Sequence, residues 1–287
     1  MSNYIIYTDS ACDLSKDILD SWGVKFAELS FKFSSEDKLY RNSEIAPKEI
    51  FDRMRGGETG KTSAINMEEF KDVFRPELEA GNDVLYLAFS SGLSNTYNAA
   101  RIAADELLEE FPNNRVIAVD TLAASAGQGL LVHFAVEKKN AGASIEEVAR
   151  FVMDSRLNLC HWFTVDDLKY LKAGGRVSAA SALLGGMLNI KPVLHVDNEG
   201  HLINMLKVRG RRPSLDTFVA KYDELALDKS GEVYICQADC MADAEYVKKE
   251  LTDKFGANVS IITDIGPVIG LHAGPGTIAV FFMGKER

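Results

Sequence analysis

What most restricts the fold of this chain is an alternation in its first half. Short apolar runs of strand length, at 4–8, 83–89 and 115–120, are separated by longer stretches patterned as amphipathic helices, at 67–80, 96–111 and 124–140. Strand and helix taking turns in this way call for a parallel sheet with helices on both faces, because a parallel connection must cross over the sheet. The helix boundaries carry their own signals. Ser15 stands ahead of a helix stopped by Gly23, and Pro47 opens one stopped by Gly56-Gly57. Asn66 with Glu69 and Ser144 with Glu147 have the spacing of capping boxes. Residues 24–33 are expected to be one strand.

After about residue 160 the pattern changes. Residues 166–173 predict a helix closed by Gly174-Gly175, and 178–188 a second helix of small residues. Residues 192–208 predict a hairpin whose turn is Asp197-Asn198-Glu199-Gly200. Helices at 213–227 and 242–255 flank a strand at 232–237, and 260–263 and 277–283 are two further strands. Hairpins mixed with helices argue for an α+β domain with a mixed or antiparallel sheet and its helices mainly on one face. The chain is therefore expected to be an α/β protein of two domains: a Rossmann-like domain over 1–160, and an α+β domain over 161–287 that closes a cleft. No linker rich in Pro, Gly or Ser separates them.

Composition excludes several functions. The 287 residues carry 32 Lys and Arg against 42 Asp and Glu, a net charge of −10, with no basic run. That disfavours nucleic acid and anionic membrane as partners. No secretory leader pattern opens the sequence, and no apolar run is long enough to act as a membrane anchor. The four cysteines include no Cys-x-x-Cys pair and predict reduced thiols in a cytoplasmic protein. No metal-ligand spacing and no Gly-x-Ser-x-Gly elbow occurs, so neither a metal nor a cofactor is expected.

Four segments carry chemistry. Ser90-Ser91-Gly92-Leu93-Ser94-Asn95 lies where a buried strand meets a helix, the usual place for a ligand in an open α/β sheet. Ser91, Ser94 and the amides near Asn95 suit an anion there; the competing role of Ser94 or Asn95 is a plain helix cap. Thr62 and Ser63 offer hydroxyls from a loop. The stretch before them, Gly56-Gly57-Glu58-Thr59-Gly60-Lys61-Thr62, nearly matches a P-loop, but Arg55 stands where its first glycine belongs and the preceding element reads as a helix. Gly174-Gly175 either simply ends a helix or aims Arg176 at an anion, and Arg209 heads a basic cluster that otherwise is a solvated turn. Residues 264–276, dense in Gly and Pro around His272, predict an irregular loop bearing a site histidine. His195 and His201 flank the hairpin turn and are expected at the surface.

In order along the chain, Thr8-Asp9-Ser10, Thr62-Ser63, Ser90-Ser91-Gly92-Leu93-Ser94, Asp120-Thr121, Leu168-Lys169-Tyr170-Leu171-Lys172 with Gly174-Gly175-Arg176, Lys191-Pro192, Arg209-Gly210-Arg211 and Gly266-Pro267 through Gly276 resemble the DegV family of fatty-acid-binding proteins. Two departures stand out: Ala64-Ile65-Asn66 replaces the usual Gln-Pro, and Asn95 replaces a glycine. The resemblance implies a carrier, not an enzyme. One long-chain fatty acid would have its tail in the first domain and its carboxylate on Thr62 and Ser94, with Ser63, Ser91, Asn95 and His272 around it. Arg176 and Arg209 would lie near the head group or the docking face for the catalytic protein of a fatty acid kinase. No residue is assigned as a nucleophile. The alternative function is a stand-alone phosphotransferase or hydrolase using the Ser-rich loop.

Overall fold

The computed structural model describes residues 3–177 and 189–287; the helix expected over 178–188 lies outside them. In chain order the first half runs β1 (Tyr4–Asp9), α1 (Lys16–Ser21), β2 (Lys25–Ala27), β3 (Ser30–Phe33), β4 (Tyr40–Arg41), α2 (Pro47–Arg55), β5 (Gly60–Ser63), α3 (Met67–Glu79), β6 (Asp83–Ala88), α4 (Thr96–Glu110), β7 (Val116–Asp120), α5 (Ala126–Asn140) and α6 (Ile145–Ser155). The second runs β8 (Leu159–Thr164), α7 (Lys169–Ala173), β9 (Ile190–Val196), β10 (Leu202–Arg209), α8 (Arg211–Leu225), β11 (Glu232–Gln237), α9 (Met241–Phe255), β12 (Asn258–Asp264), α10 (Pro267–Ala273) and β13 (Ile278–Met283).

The first sheet is parallel, in the order β2-β1-β6-β7. Helices α3 and α4 cover one face, packing Phe70, Phe74, Ala103 and Leu107 against Tyr86 and Val84 of β6. Helices α5 and α6 cover the other, with Leu130, Leu131, Val148 and Val152 against Leu85 and Leu87. Strand β6 is buried along its whole length, as its unbroken apolar run requires. Asn66 and Ser144 both close reciprocal capping boxes with the glutamate three residues on.

The second sheet is mixed, in the order β10-β9-β8-β13-β11-β12, antiparallel except for the β11–β12 pair. Its faces divide by the strand period of two. Cys160, Trp162, Val280 and Phe282 meet Phe218, Tyr222, Val247 and Leu251 of α8 and α9. Leu159, Phe163, Ala279 and Phe281 face the first half and join its core around α5.

Several local expectations give way. Residues 24–33 are two strands, because the chain breaks at Glu28-Leu29 and passes from the parallel sheet to a small antiparallel one, β4-β3-β5. Thr62 and Ser63 are not on a loop: β5 pairs with β3, with Thr62 opposite Phe31. Residues 264–276 are not irregular throughout, since Pro267 at the first position starts α10, whose N-terminus is held by Asp13 and Asn42. His195 is buried, because β9 is an interior strand; it stacks on Trp162 at 4.6 Å and its Nδ1 meets the His161 carbonyl at 2.9 Å.

Candidate functional site

A cavity of about 250 Å³ lies between the inner face of the second sheet and the loops that follow β2, β6 and β7 at the carboxyl ends of the first sheet's strands. Its walls are mostly apolar: Leu29, Phe89, Leu93, Phe163, Leu171, Leu202, Ile265, Val268, Ile269 and Phe281. Both halves contribute, so the space is not confined to residues 1–160; the face of the second sheet forms part of its wall.

One end is polar. Thr62, Ser94, Asn95, Arg176 and His272, each named from the sequence, line the cavity together. Strand β5 holds Thr62 beside α10, so that Thr62 Oγ1 lies 2.7 Å from His272 Nε2. Burial, with the positive charge of Arg176 second, pushes the His272 imidazole down to about 4, so it is neutral near pH 7. Its Nδ1 is buried against the backbone of Gly174: a Cβ there would stand 2.1 Å from that nitrogen. This explains the first glycine of Gly174-Gly175. Gly175, with φ of +67°, takes the left-handed turn that follows.

Arg176 reaches across from that turn to the first half. Its Nε donates to the Leu93 carbonyl at 3.2 Å, and its Nη1 to the Gly174 carbonyl at 2.5 Å. On the facing loop, Ser94 Oγ lies 2.8 Å from the buried Thr96 hydroxyl and accepts from the Thr96 N–H at 3.3 Å. Ser94 thus caps the first turn of α4, whereas Asn95 makes no capping bond and sits exposed at the rim. Ser90 Oγ donates to the Gly200 carbonyl at 2.9 Å, and a Cβ on Gly92 would meet the backbone of Glu199 and Gly200 at 2.8–2.9 Å. The β9–β10 turn is therefore pressed directly onto the serine loop.

Three expected site residues lie elsewhere. Ser63 follows Thr62 on β5, so the strand alternation turns it outward to solvent. Ser91 is exposed, with its N–H on Asp120 Oδ1. Arg209 is exposed at the end of edge strand β10. None of the three lines the cavity. The near P-loop fails on geometry as well: a phosphate loop follows a strand and opens a helix, whereas here helix α2 leads into strand β5.

The distal wall was not foreseen. His161, Ser125 and Cys236 line it. Ser125, at φ +54°, donates to the buried Asp13 carboxylate and lies 3.1 Å from Cys236 Sγ. The available sequence signal was a histidine in the otherwise apolar run Leu-Cys-His-Trp-Phe-Thr. Among the described residues no cluster of His, Cys, Asp and Glu is arranged to hold a metal, and no helix is long and apolar enough to cross a membrane.

The family model described as "Uncharacterised protein, DegV family" matches residues 4–285. The chain belongs to the DegV family. A DegV domain-containing protein of Clostridium perfringens is 39% identical to it, covering 100% of this chain and 99% of its own length. Among solved structures, a DegV family protein from Thermus thermophilus, described by its fatty acid binding, superposes with a TM-score of 0.89 at 32% identity, covering 98% of this chain and 99% of that one. A stearic-acid-binding protein from Eubacterium ventriosum gives 0.87 at 27% identity, covering 98% of each chain. DegV relatives of this architecture therefore bind fatty acids.

Proposed function

We propose that this DegV chain is a carrier that binds one long-chain fatty acid in the cavity between its sheets. The observation that carries this reading is the cavity's polarity: apolar walls with Thr62, Ser94, Asn95, Arg176 and His272 gathered at one end. A fatty acid has the complementary form. Burying a dozen methylenes at about 0.8 kcal/mol each contributes roughly 10 kcal/mol, from which binding subtracts several. The tail supplies the affinity, and the head group must be hydrogen-bonded to avoid a desolvation penalty.

The head-group residues meet that need. When His272 carries its proton on Nε2, it donates to Thr62 Oγ1 and turns the hydroxyl hydrogen of Thr62 toward the carboxylate. Thr96 does the same for Ser94. Each hydroxyl becomes an oriented donor to an anion, strengthened by the charge it meets. Arg176 adds positive potential beside them. Held by neutral hydroxyls, one carboxylate oxygen remains accessible from the rim.

That accessibility suits a substrate presented to another protein. The acid would be phosphorylated by the catalytic protein of a fatty acid kinase, in the cytoplasm, with exposed Arg209 on the docking face. The chain itself has no assigned nucleophile in this scheme. The test is direct: extract the purified protein with organic solvent and weigh the extract by mass spectrometry, then offer the stripped protein fatty acid with and without the kinase. About one acid per chain and its conversion to acyl phosphate are expected. Absence of any acid together with failure to take one up overturns the carrier; uptake without kinase-dependent phosphorylation overturns only the presentation role.

A further inference from the structure

We infer that Arg287 is a positioning residue for the head-group site: it closes a ring of hydrogen bonds, across the two halves of the chain, that holds the serine loop and with it Ser94. This rests on the fatty-acid reading and names a residue outside the cavity wall on which recognition of the carboxylate depends.

Arg287 follows β13 and is part-buried. Its fork donates to carbonyls on three separate elements. Nε donates to Leu159 at the start of β8 at 3.2 Å, Nη1 to Asp197 in the β9–β10 turn at 2.9 Å, and Nη2 to Arg156 just past α6 at 2.6 Å. A guanidinium presents its donors in one fixed plane, which suits it to joining groups that the backbone does not join. Burial holds this one down to about 10, so it stays charged near pH 7 and its bonds are charge-assisted. The ladder between β8 and β9 pairs Phe163 with Leu194 and Thr164 with Val193, short of the turn. Arg287 makes the connection between the start of β8 and the turn.

Two arms lead from Arg287 to the serine loop. One passes through the turn. The Asp197 carbonyl that Arg287 meets also accepts from the Gly200 N–H at 3.0 Å, and the Gly200 carbonyl takes the Ser90 hydroxyl. The other passes through Arg156, whose Nη1 donates to the Asp120 carbonyl at 2.7 Å; the Asp120 carboxylate in turn accepts from the Ser91 N–H at 3.2 Å. The arms meet at the Ser90–Ser91 peptide and close the ring. Ser90 passes the constraint onward. Its carbonyl accepts from the N–H groups of Leu93 and Ser94, both at 3.1 Å, and its Oγ from that of Gly92 at 3.2 Å.

The effect is specific to the head group. A hydrogen bond to a carboxylate weakens steeply once its donor is misaligned. Burial of the acyl chain is non-directional and does not depend on where one hydroxyl points. Opening the ring therefore costs recognition of the acid and spares the hold on the tail.

The test uses the full chain stripped of lipid. It is offered octadecanoic acid or octadecanol at a series of concentrations, and the retained lipid is measured by mass spectrometry. Arg287→Ala should weaken retention of the acid about tenfold, the value of one hydrogen bond to a charged group, and leave that of the alcohol unchanged. In a Ser94→Ala background the same substitution should have no further effect on the acid, because the donor it positions is gone. Arg287→Lys, which keeps the charge but not the planar fork, is the second variant should the first fail to fold, and should show the same selective loss. Retention of the acid unchanged, an equal loss for acid and alcohol, or a loss that persists undiminished in the Ser94→Ala background overturns the positioning role alone. Uptake of no acid by the wild type overturns the carrier reading and the role with it.

Discussion

At the scale of single residues, the proposed head-group site depends on hydroxyls whose hydrogens are aimed by a second residue. Thr62 has His272 behind it at 2.7 Å and Ser94 has Thr96 at 2.8 Å. Thr62→Ala should weaken fatty acid binding by roughly tenfold, the value of a hydrogen bond to a charged group, whereas Thr62→Ser should retain most of it; titration of stripped protein with a fluorescent fatty acid measures both. The neutrality of His272 also has a consequence for stability. Its folded value of about 4 lies below the ordinary 6.5, so the unfolded chain binds the proton first. Stability from this residue is therefore complete above about pH 6.5 and is lost as pH falls toward 4. His195, also pushed down to about 4 by burial, acts with the same sign, and Asp13, pushed up to about 7, acts with the opposite one. Comparison with His272→Gln isolates the residue: urea unfolding at pH 7 and pH 4.5 should show wild type losing roughly 2 kcal/mol more than the variant. An equal loss in both would show that His272 is not held neutral. Thr62, Ser94, Arg176 and His272 were legible because each sits in one of the distinct short motifs that match the family in order along the chain. His161 was not, because a lone inward histidine on a strand has no motif, and only the pairing of β8 with β13 reveals what it faces.

At the scale of elements, glycines set how closely the site's parts approach. Gly174→Ala would drive a methyl into the His272 ring, and Gly92→Ala would drive one into the backbone of the β9–β10 turn. Each should cost about 1–3 kcal/mol by overpacking and reduce fatty acid retention, as thermal unfolding and lipid recovery would show. Asn66→Ala, which removes a capping box on α3, should cost about 1 kcal/mol and leave retention unchanged. These elements differ in how far sequence discloses them. Capped helices such as α3 and α6 were readable to within a residue or two, because the cap chemistry is local. The split of residues 24–33, the pairing of β5 with β3 and the helix inside 264–276 were not, because each depends on partners distant in the chain: β1 for β2, β3 for β5, and Asp13 and Asn42 for α10.

At the scale of the whole molecule, the two sheets share one continuous core, and the two halves of the chain are tied together by specific bonds. Ser90 bonds Gly200, Arg176 bonds Leu93, Arg55 pairs with Asp239, and Asp13 accepts from Gly266 while its carbonyl accepts from Thr263. An occupant filling the space between them should stabilise the assembly. Fatty acid at a hundred times its dissociation constant is expected to add about 2.7 kcal/mol, seen as a rise in Tm over the stripped protein. The central claim concerns orientation as well as occupancy, and a crystal structure of the fatty-acid-loaded protein tests it most directly. The carboxylate should lie within hydrogen-bonding distance of Thr62 Oγ1 and Ser94 Oγ, with the chain running past Phe163 toward His161 and Phe281. A carboxylate at the His161 end, or an acyl chain bound outside the cavity, would contradict it.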